Sequence, residues 1–510
     1  MLQNKKFPLI FGIIYCFICL FMGASYVLSG SIKFDADISR DFLLLDELAT
    51  RKVIFIGPRA SGIPGVFHGP LWIYLNYPAY ILSGKNPVAV GWFWVVLAAS
   101  FLVSSYFVVK KITTQKTALI FVLLLSGMLV PWLHQLLNPF GALMMMPFVV
   151  FAVTKYQQTK NSIYWILLLF LLGMMIQFQM AVGVPITILV FIWLLVWMYK
   201  EKRLLHLLFL PLLLIPLASF LIFDFRHDFA QLRSVIAFVS DKSDVPTISY
   251  VERVIQRFWM ASKVGINLFS SNDLNGLNFG VFMIFALQMM GSIQLLNNSS
   301  QKMMKFLFYL YVGYYVITLL FNGYLLVQYW WPLVPLAYLM IALFLSAAPR
   351  KLFIPVLVVI LGFQLIEGLH FVKINAEKIG LIEDDWLFQK KLTTSLFEGD
   401  ENEFGYFIFT PDIYAYESKA AMTYAISQHP EKNVGRYQKK PVTYMIIAPD
   451  PSFRIDIKSA NWKKDRVRLV ATPSAALSFP DGYTVEKYDL TPEQLKILPD
   501  STIDDWLHFR

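Results

Sequence analysis

The sequence predicts a polytopic α-helical membrane protein of about eleven spans, followed by a C-terminal α/β domain outside the bilayer. Three observations predict it. Of the 510 residues, 57% are hydrophobic and only 15% charged, with a mean hydropathy of +0.56, whereas soluble domains carry about 25% charge. Apolar runs of roughly 17–25 residues, each long enough to cross about 30 Å of hydrocarbon as a helix, recur from residue 7 to about residue 371. Beyond residue 373 the texture changes to dense charge, prolines and short alternating segments. The expected division is 1–372 for the membrane domain and 373–510 for the soluble domain.

The first run, 7–28, follows Lys5 and Lys6. It exceeds the 7–15 residues of a signal-peptide h-region and has no A-x-A site, so a retained span is expected. The chain's two cysteines, Cys16 and Cys19, fall inside it. The soluble domain therefore has no disulfide, and redox chemistry leaves its compartment open. A polar loop, 31–87, comes next; within it 70–82 is apolar and aromatic but too short to cross, as in an interfacial or re-entrant helix. Further spans are expected at 88–109, 118–133, 141–153, 164–176, 182–198, 205–223, 279–295, 306–321, 324–347 and 353–371.

If these spans alternate, the clusters Lys5/Lys6, Lys110/Lys111/Lys116, Lys155/Lys160, Lys200/Lys202/Arg203, Lys302/Lys305 and Arg350/Lys351 all fall on one side, as the positive-inside rule requires. The N-terminus is then cytoplasmic, and loops 31–87 and 224–263 and the C-terminal domain face outward from a bacterial-type plasma (inner) membrane. Topology and lipid head groups also explain the net charge of +10 without any nucleic-acid partner. In the tail, alternation predicts strands at 406–410, 442–447 and 484–490, with a helix at 418–428.

The outward face holds the chemistry. Loop 31–87 carries Asp35, Asp37, Arg40 and Asp41, then Arg59 in a glycine-rich turn, then His68 before a glycine-proline step. Ionised groups near hydrocarbon are paired, hydrated or used. The second outer loop supplies Arg226, Arg253 and Arg257, whose guanidinium forks suit a phosphate. Asp35, Asp37 and Asp41 can also offer oxygen ligands to a divalent cation, the one cofactor left open. No Walker A loop or dinucleotide fingerprint is present, which disfavours cytoplasmic nucleotide chemistry.

Plainer roles compete. Asp37 is a natural N-cap for an amphipathic helix over 38–50, with Asp41 paired to Arg40 or Lys33. Outer-leaflet arginines bind lipid head groups, His68 fits an aromatic interface belt with Trp72 and Tyr74, and His134 with Asn138-Pro139 fits a helix end. Gln177 and Gln179 suit interhelical hydrogen bonds.

The blocks Asp37-Ile38-Ser39-Arg40-Asp41, Ile56-Gly57-Pro58 with Ser61-Gly62, and His68-Gly69-Pro70-Leu71-Trp72-Ile73-Tyr74 resemble a recurring block of GT-C glycosyltransferases. The branch is the family-39-like one, related to protein O-mannosyltransferases and the lipid A aminoarabinose transferase. Phe223-Asp224-Phe225-Arg226-His227 and Gln328-Tyr329-Trp330-Trp331-Pro332-Leu333 are similar to two later patches of such proteins. In the second patch the family pattern has a histidine-tyrosine pair, and here Gln328 stands in the histidine's place beside Tyr329. The likeness covers the membrane domain as a topology and, at motif level, its first quarter and these two patches.

The resemblance implies inverting transfer of a monosaccharide from a polyprenyl-phosphate carrier in the membrane lipid to a glycan, lipid or protein acceptor outside the cytoplasm. It implies Asp37 as general base, with Asp35 its rival if the alignment slips, and Asp41 orienting the acceptor or holding a cation. Arg226, Arg253, Arg257 and Arg59 are the candidate donor-phosphate contacts; His68, Tyr74, His134, Gln328 and Tyr329 are the candidate pocket residues. Two other classes compete: a lipid or glycan transporter or flippase, which would place polar sites near the bilayer midplane, and a catalytically inactive scaffold.

Overall fold

The computed structural model describes residues 7–60, 62–240, 248–268, 276, 278–282, 298–412, 414–450 and 458–503. Lys5, Lys6, Ser61, most of the expected 279–295 span and part of the 224–263 loop lie outside the described residues. In chain order the helices are α1 Phe7–Gly23, α2 Ser25–Leu28, α3 Ala36–Arg51, α4 Leu71–Leu82, α5 Pro87–Ile112, α6 Gln115–Leu129, α7 Asn138–Thr159, α8 Ser162–Phe178, α9 Met180–Lys200, α10 Ala218–Arg226, α11 Ala230–Val239, α12 Tyr250–Trp259, α13 Asn298–Thr318, α14 Val334–Ala347, α15 Arg350–Ala376, α16 Trp386–Thr394, α17 Tyr416–Gln428, α18 Ser459–Trp462 and α19 Pro492–Lys496. The strands are β1 Glu403–Phe409, β2 Asn433–Arg436, β3 Val442–Ile447, β4 Ala475–Ser478 and β5 Thr484–Asp489.

The chain divides into two compact units. One comprises Met1–Ser25, Val53–Leu75 and Phe93–Lys373; the other comprises Tyr26–Lys52, Asn76–Trp92 and Ile374–Arg510. The first is a helical membrane body. Among the described residues six helices are long and apolar enough to cross a bilayer, or seven if Leu204–Leu214 and α10, bent by 58° at their junction, count as one span. α1 and α8 are shorter apolar helices. Most of the expected segments coincide with helices where residues are described, and six or seven of those helices are both long and apolar enough to cross. Within this body α7 packs on α8, α8 on α9, α6 on α1 and α14, and α13 on α9 and α14.

The second unit is built on a five-stranded sheet of order β2-β1-β3-β5-β4. β1 runs parallel to β2 and β3, and β5 antiparallel to β3 and β4. Phe404, Tyr406, Phe407, Met445, Ile446 and Val485 form its core with Met422 and Ala425 of α17. β1 and β3 are apolar on both faces and buried throughout most of their length, as central strands of a covered sheet must be.

The same unit contains the acid-bearing helix α3. Ile38, Phe42, Leu45 and Leu48 recur at helical spacing and are buried, and α3 packs on α17. Its N-cap is Asp35, whose side chain accepts from Ile38 N at 3.1 Å. Asp37 lies two residues further in, in the first turn, so the cap that the amphipathic pattern offered to Asp37 belongs to Asp35. The helix begins at Ala36, and a capping oxygen reaches the amide two or three residues on. Asp37 then sits where the positive end of the helix dipole favours a carboxylate. Lys52, in the left-handed conformation with φ 68°, closes the C-terminus through its N–H to Leu48 O.

Candidate functional site

On α3 the two acids are joined by a guanidinium. Arg40 Nη1 donates to Asp37 Oδ1 at 2.6 Å and Nη2 to Asp41 Oδ1 at 3.2 Å. Asp37 lies three positions before Arg40 on the same helix face, and Asp41 is its neighbour in the chain, so one fork reaches both. Asp37 keeps its side chain 46% exposed, whereas Asp41 is almost fully buried at 9%. Among the described residues the second Asp41 oxygen, Oδ2, has no hydrogen-bond partner, and neither has Arg40 Nε. Burial pushes the Asp41 carboxyl up to about 7; the Arg40 charge opposes this and the Asp37 charge adds to it. Asp41 is therefore a carboxyl poised to change protonation near neutral pH, and Asp37 an accessible one held in place.

Asp35 is committed elsewhere. It caps α3 and pairs with Lys33 at 3.3 Å. With Asp35 on the helix end and Arg40 occupying Asp37 and Asp41, the three acids do not converge as a ligand set. Among the described residues no group of three or more histidine, cysteine or acidic side chains is arranged to hold a metal ion.

In the membrane body, two of the sequence blocks meet. Residues 57–60 and 66–69 pair as a short antiparallel ladder: Gly57 N donates to His68 O at 2.8 Å, His68 N to Pro58 O at 2.9 Å, and Arg59 bridges Phe67. Gly57 is required here, because a Cβ would stand 2.5 Å from Gly69 O. Gly69 N donates to Gln177 O at 2.9 Å, and a Cβ on Gly69 would fall inside the Gln177 carboxamide. The Phe223–His227 block packs on this turn. The Phe67 and Phe223 rings lie 6.0 Å apart, Arg226 lies 5.5 Å over the Phe55 ring, and Phe67 N donates to Gln231 Oε1, whose own N–H is bound by Asp224. Arg59 and Arg226 are both exposed, while His68 is buried.

Arg253 and Arg257 occupy a different place. They lie one turn apart on α12, with Arg253 5.9 Å over the ring of Tyr250 on the same face, and the opposite face exposes Val251 and Ile255. Arg253 Nη1 donates to Leu319 O at 2.7 Å, and Arg257 Nη2 to Gly323 O at 2.8 Å. Arg257 is fully buried, and among the described residues neither arginine has a carboxylate partner; the Nε of each is unpartnered. Burial, with the Arg253 charge beside it, pushes Arg257 down to about 10. A buried Arg257 and a half-buried Arg253, bonded to backbone carbonyls and, for Arg257, to the Gln256 carboxamide, form a locus of positive potential that an anion would relieve.

The pocket candidates divide. Tyr74 spends its hydroxyl on Ile54, accepting from its N–H and donating to its carbonyl, both at 3.1 Å. His134 is buried with its ring 5.2 Å from Phe371. Tyr329 O accepts from Tyr314 Oη at 2.9 Å, and Tyr314 stands close enough to Arg257 to interact with its charge. Gln328 is half-buried at the turn before Trp331, whose ring lies 4.3 Å from that of Trp132 at a tilt of 52°. Gln177 and Gln179 are buried; Gln177 Nε2 donates to Pro216 O and Ser219 Oγ, and Gln179 Oε1 accepts from Asn138. Sequence reasoning missed the double engagement of Arg40, although three-residue and one-residue spacings to the two acids carried the signal.

No protein-family model matches the sequence, and no curated protein matches it. Two solved structures of ArnT from Cupriavidus metallidurans do match by fold. The one bound to undecaprenyl phosphate has a TM-score of 0.62 at 10% identity, over 96% of this chain and 99% of that one. The apo form has a TM-score of 0.60 at 10% identity, over 94% of this chain and 97% of that one. Over nearly its whole length, this chain therefore has the GT-C fold that its sequence motifs resemble, a polytopic helical membrane protein with a C-terminal sheet domain.

Proposed function

We propose that this protein is an inverting, polyprenyl-phosphate-dependent glycosyltransferase of the inner membrane, acting on an acceptor outside the cytoplasm. The observation that carries the reading is its full-length likeness to a protein crystallised with undecaprenyl phosphate. The acid pair on α3 and the unpaired arginines of α12 support it. Fold alone does not fix chemistry, so each role is assigned to a residue that can be changed.

Asp37 is the general base. The acceptor hydroxyl gives its proton to an Asp37 carboxylate oxygen, and the acceptor oxygen attacks the anomeric carbon. The bond from that carbon to the phosphate oxygen breaks, and its electron pair leaves with the polyprenyl phosphate. Arg40 holds Asp37 aimed, a charge-assisted bond being about twice as strong as a neutral one. Asp41 completes the fork on the buried side. Arg253 and Arg257 supply fixed positive charge for the phosphate; Arg226 and Arg59, being exposed, serve its approach. The basic clusters set the N-terminus in the cytoplasm and the C-terminal domain outside.

The test is transfer of labelled sugar from a panel of polyprenyl-phosphate monosaccharides to membrane extract by purified protein. Wild type transfers, and Asp37→Asn loses roughly 10²–10⁴-fold in rate, the range for a general base, with its melting temperature retained. Undiminished transfer by Asp37→Asn would remove the base from this position. Failure of wild type with every donor would favour the transporter or scaffold readings instead.

A further inference from the structure

Asp385 is fully buried and uses both oxygens. Oδ1 accepts from Phe388 N at 3.1 Å, as the N-cap of α16, and from Gly380 N at 2.8 Å. Oδ2 accepts from Tyr26 Oη and from Ser31 Oγ, each at 2.7 Å. A helix cap needs only one of these oxygens. The other is given to the segment that leads into α3, more than 350 positions away in sequence.

The attachment continues around it. Trp386 N donates to Ile32 O at 3.1 Å, Phe34 N to Asp384 O at 2.6 Å, and Lys33 bridges Asp385 in antiparallel register. The Phe34 ring meets Trp386 edge-on at 5.0 Å. The next residue, Asp35, caps α3, and the Asp37–Arg40–Asp41 chain follows within two turns. The inner face of α3 rests on α17. The acid-bearing helix is thus tied at its entry and along its flank to the C-terminal chain.

We propose that Asp385 is a positioning residue for the transfer reaction, and that the C-terminal domain is the mount that holds the acid-bearing helix in register. This role rests on the proposed function above. A carboxylate that must meet an acceptor hydroxyl within hydrogen-bond reach tolerates little drift, and a displacement of about 1 Å costs on the order of 10²-fold in rate.

The experiment uses the full-length double variant Tyr26→Phe/Ser31→Ala. It removes both donors to Oδ2 and, with Ser31 Oγ, the 3.3 Å acceptor of Leu387 N, while Asp385 Oδ1 keeps its bonds from Phe388 N and Gly380 N and so still caps α16. Two readouts are taken against wild type: amide hydrogen exchange along 36–51, and kcat and KM for a polyprenyl-phosphate monosaccharide. The expected result is faster exchange along 36–51, a fall in kcat of roughly 10–100-fold and an unchanged donor KM. Unchanged exchange, wild-type kcat despite loosened exchange, or a loss of activity that only tracks lost folded protein would each overturn the role. An active wild type with an equally active variant refutes this inference alone, whereas a wild type silent with every donor refutes the proposed function and this role with it.

Discussion

The Asp41 carboxyl stands between two opposing forces, burial that favours its neutral form and an arginine that favours its charge, and burial prevails. Glu417 of α17 is in a similar position, pushed up to about 8 by burial and by the charges of Asp412, Asp384 and Asp35, against its own backbone hydrogen bond. Both folded-state values lie above the ordinary carboxylate range, so both groups favour folding when protonated. That contribution is present at low pH and is lost as pH rises through about 7 and about 8. The melting temperature should therefore fall between about pH 5 and pH 8.5. Glu417→Gln should flatten the fall, by on the order of 2 kcal/mol of stability at the alkaline end; thermal unfolding across that range in wild type and variant checks it. At this scale Asp37 and Asp41 were legible in the sequence, because charged residues beside apolar spans invite an explanation. The shared Arg40 fork was not, since it depends on which rotamers a half-buried helix face leaves open. The capping role offered to Asp37 went to Asp35 because pattern locates a helix start only to within a residue or two.

Among the elements, α12 carries a contradiction that has a measurable consequence. Its Arg257 is buried, and Arg253 half-buried, without a carboxylate among the described residues, which costs stability, yet both are built into a helix whose other face is apolar and exposed. Arg257→Gln should leave the melting temperature nearly unchanged, because the charge it removes is uncompensated. The same variant should raise the donor KM about tenfold or more, since it deletes a charged contact worth roughly 1.5–3 kcal/mol. Equal losses in stability and activity would make Arg257 a structural pin on Gly323. The turn at Gly57–Gly69 makes the opposite case, a purely steric one. Gly69→Ala drives a methyl into Gln177 and should lower stability by roughly 1–3 kcal/mol, the range for overpacking, read as a shift in melting temperature. The long apolar helices, β1, β3, β5 and α17 were legible from hydropathy and alternation. β2 and β4 were not: each has four residues, lies at a sheet edge and shows no alternation. The bend between 204–214 and α10 was equally hidden, because an apolar run reads the same straight or bent.

Across the whole molecule, the entry segment and acid-bearing helix within Tyr26–Lys52 belong to one compact unit with the C-terminal chain although most of the sequence separates them. Hydropathy cannot report that grouping, which rests on Asp385, Phe34 and Trp386, residues unremarkable in linear order. The membrane architecture was legible because a bilayer imposes one length and one polarity on everything that crosses it. The account's central claim is that sugar leaves a polyprenyl phosphate on this protein, and the most direct measurement is the stoichiometry of that departure. Purified protein is incubated with a polyprenyl-phosphate monosaccharide and membrane acceptor, and free polyprenyl phosphate and glycosylated acceptor are quantified together. The account predicts that the two appear in equal amounts with wild type and that neither forms with Asp37→Asn. Acceptor glycosylation without release of polyprenyl phosphate, or no release from any donor by folded wild type, would contradict it.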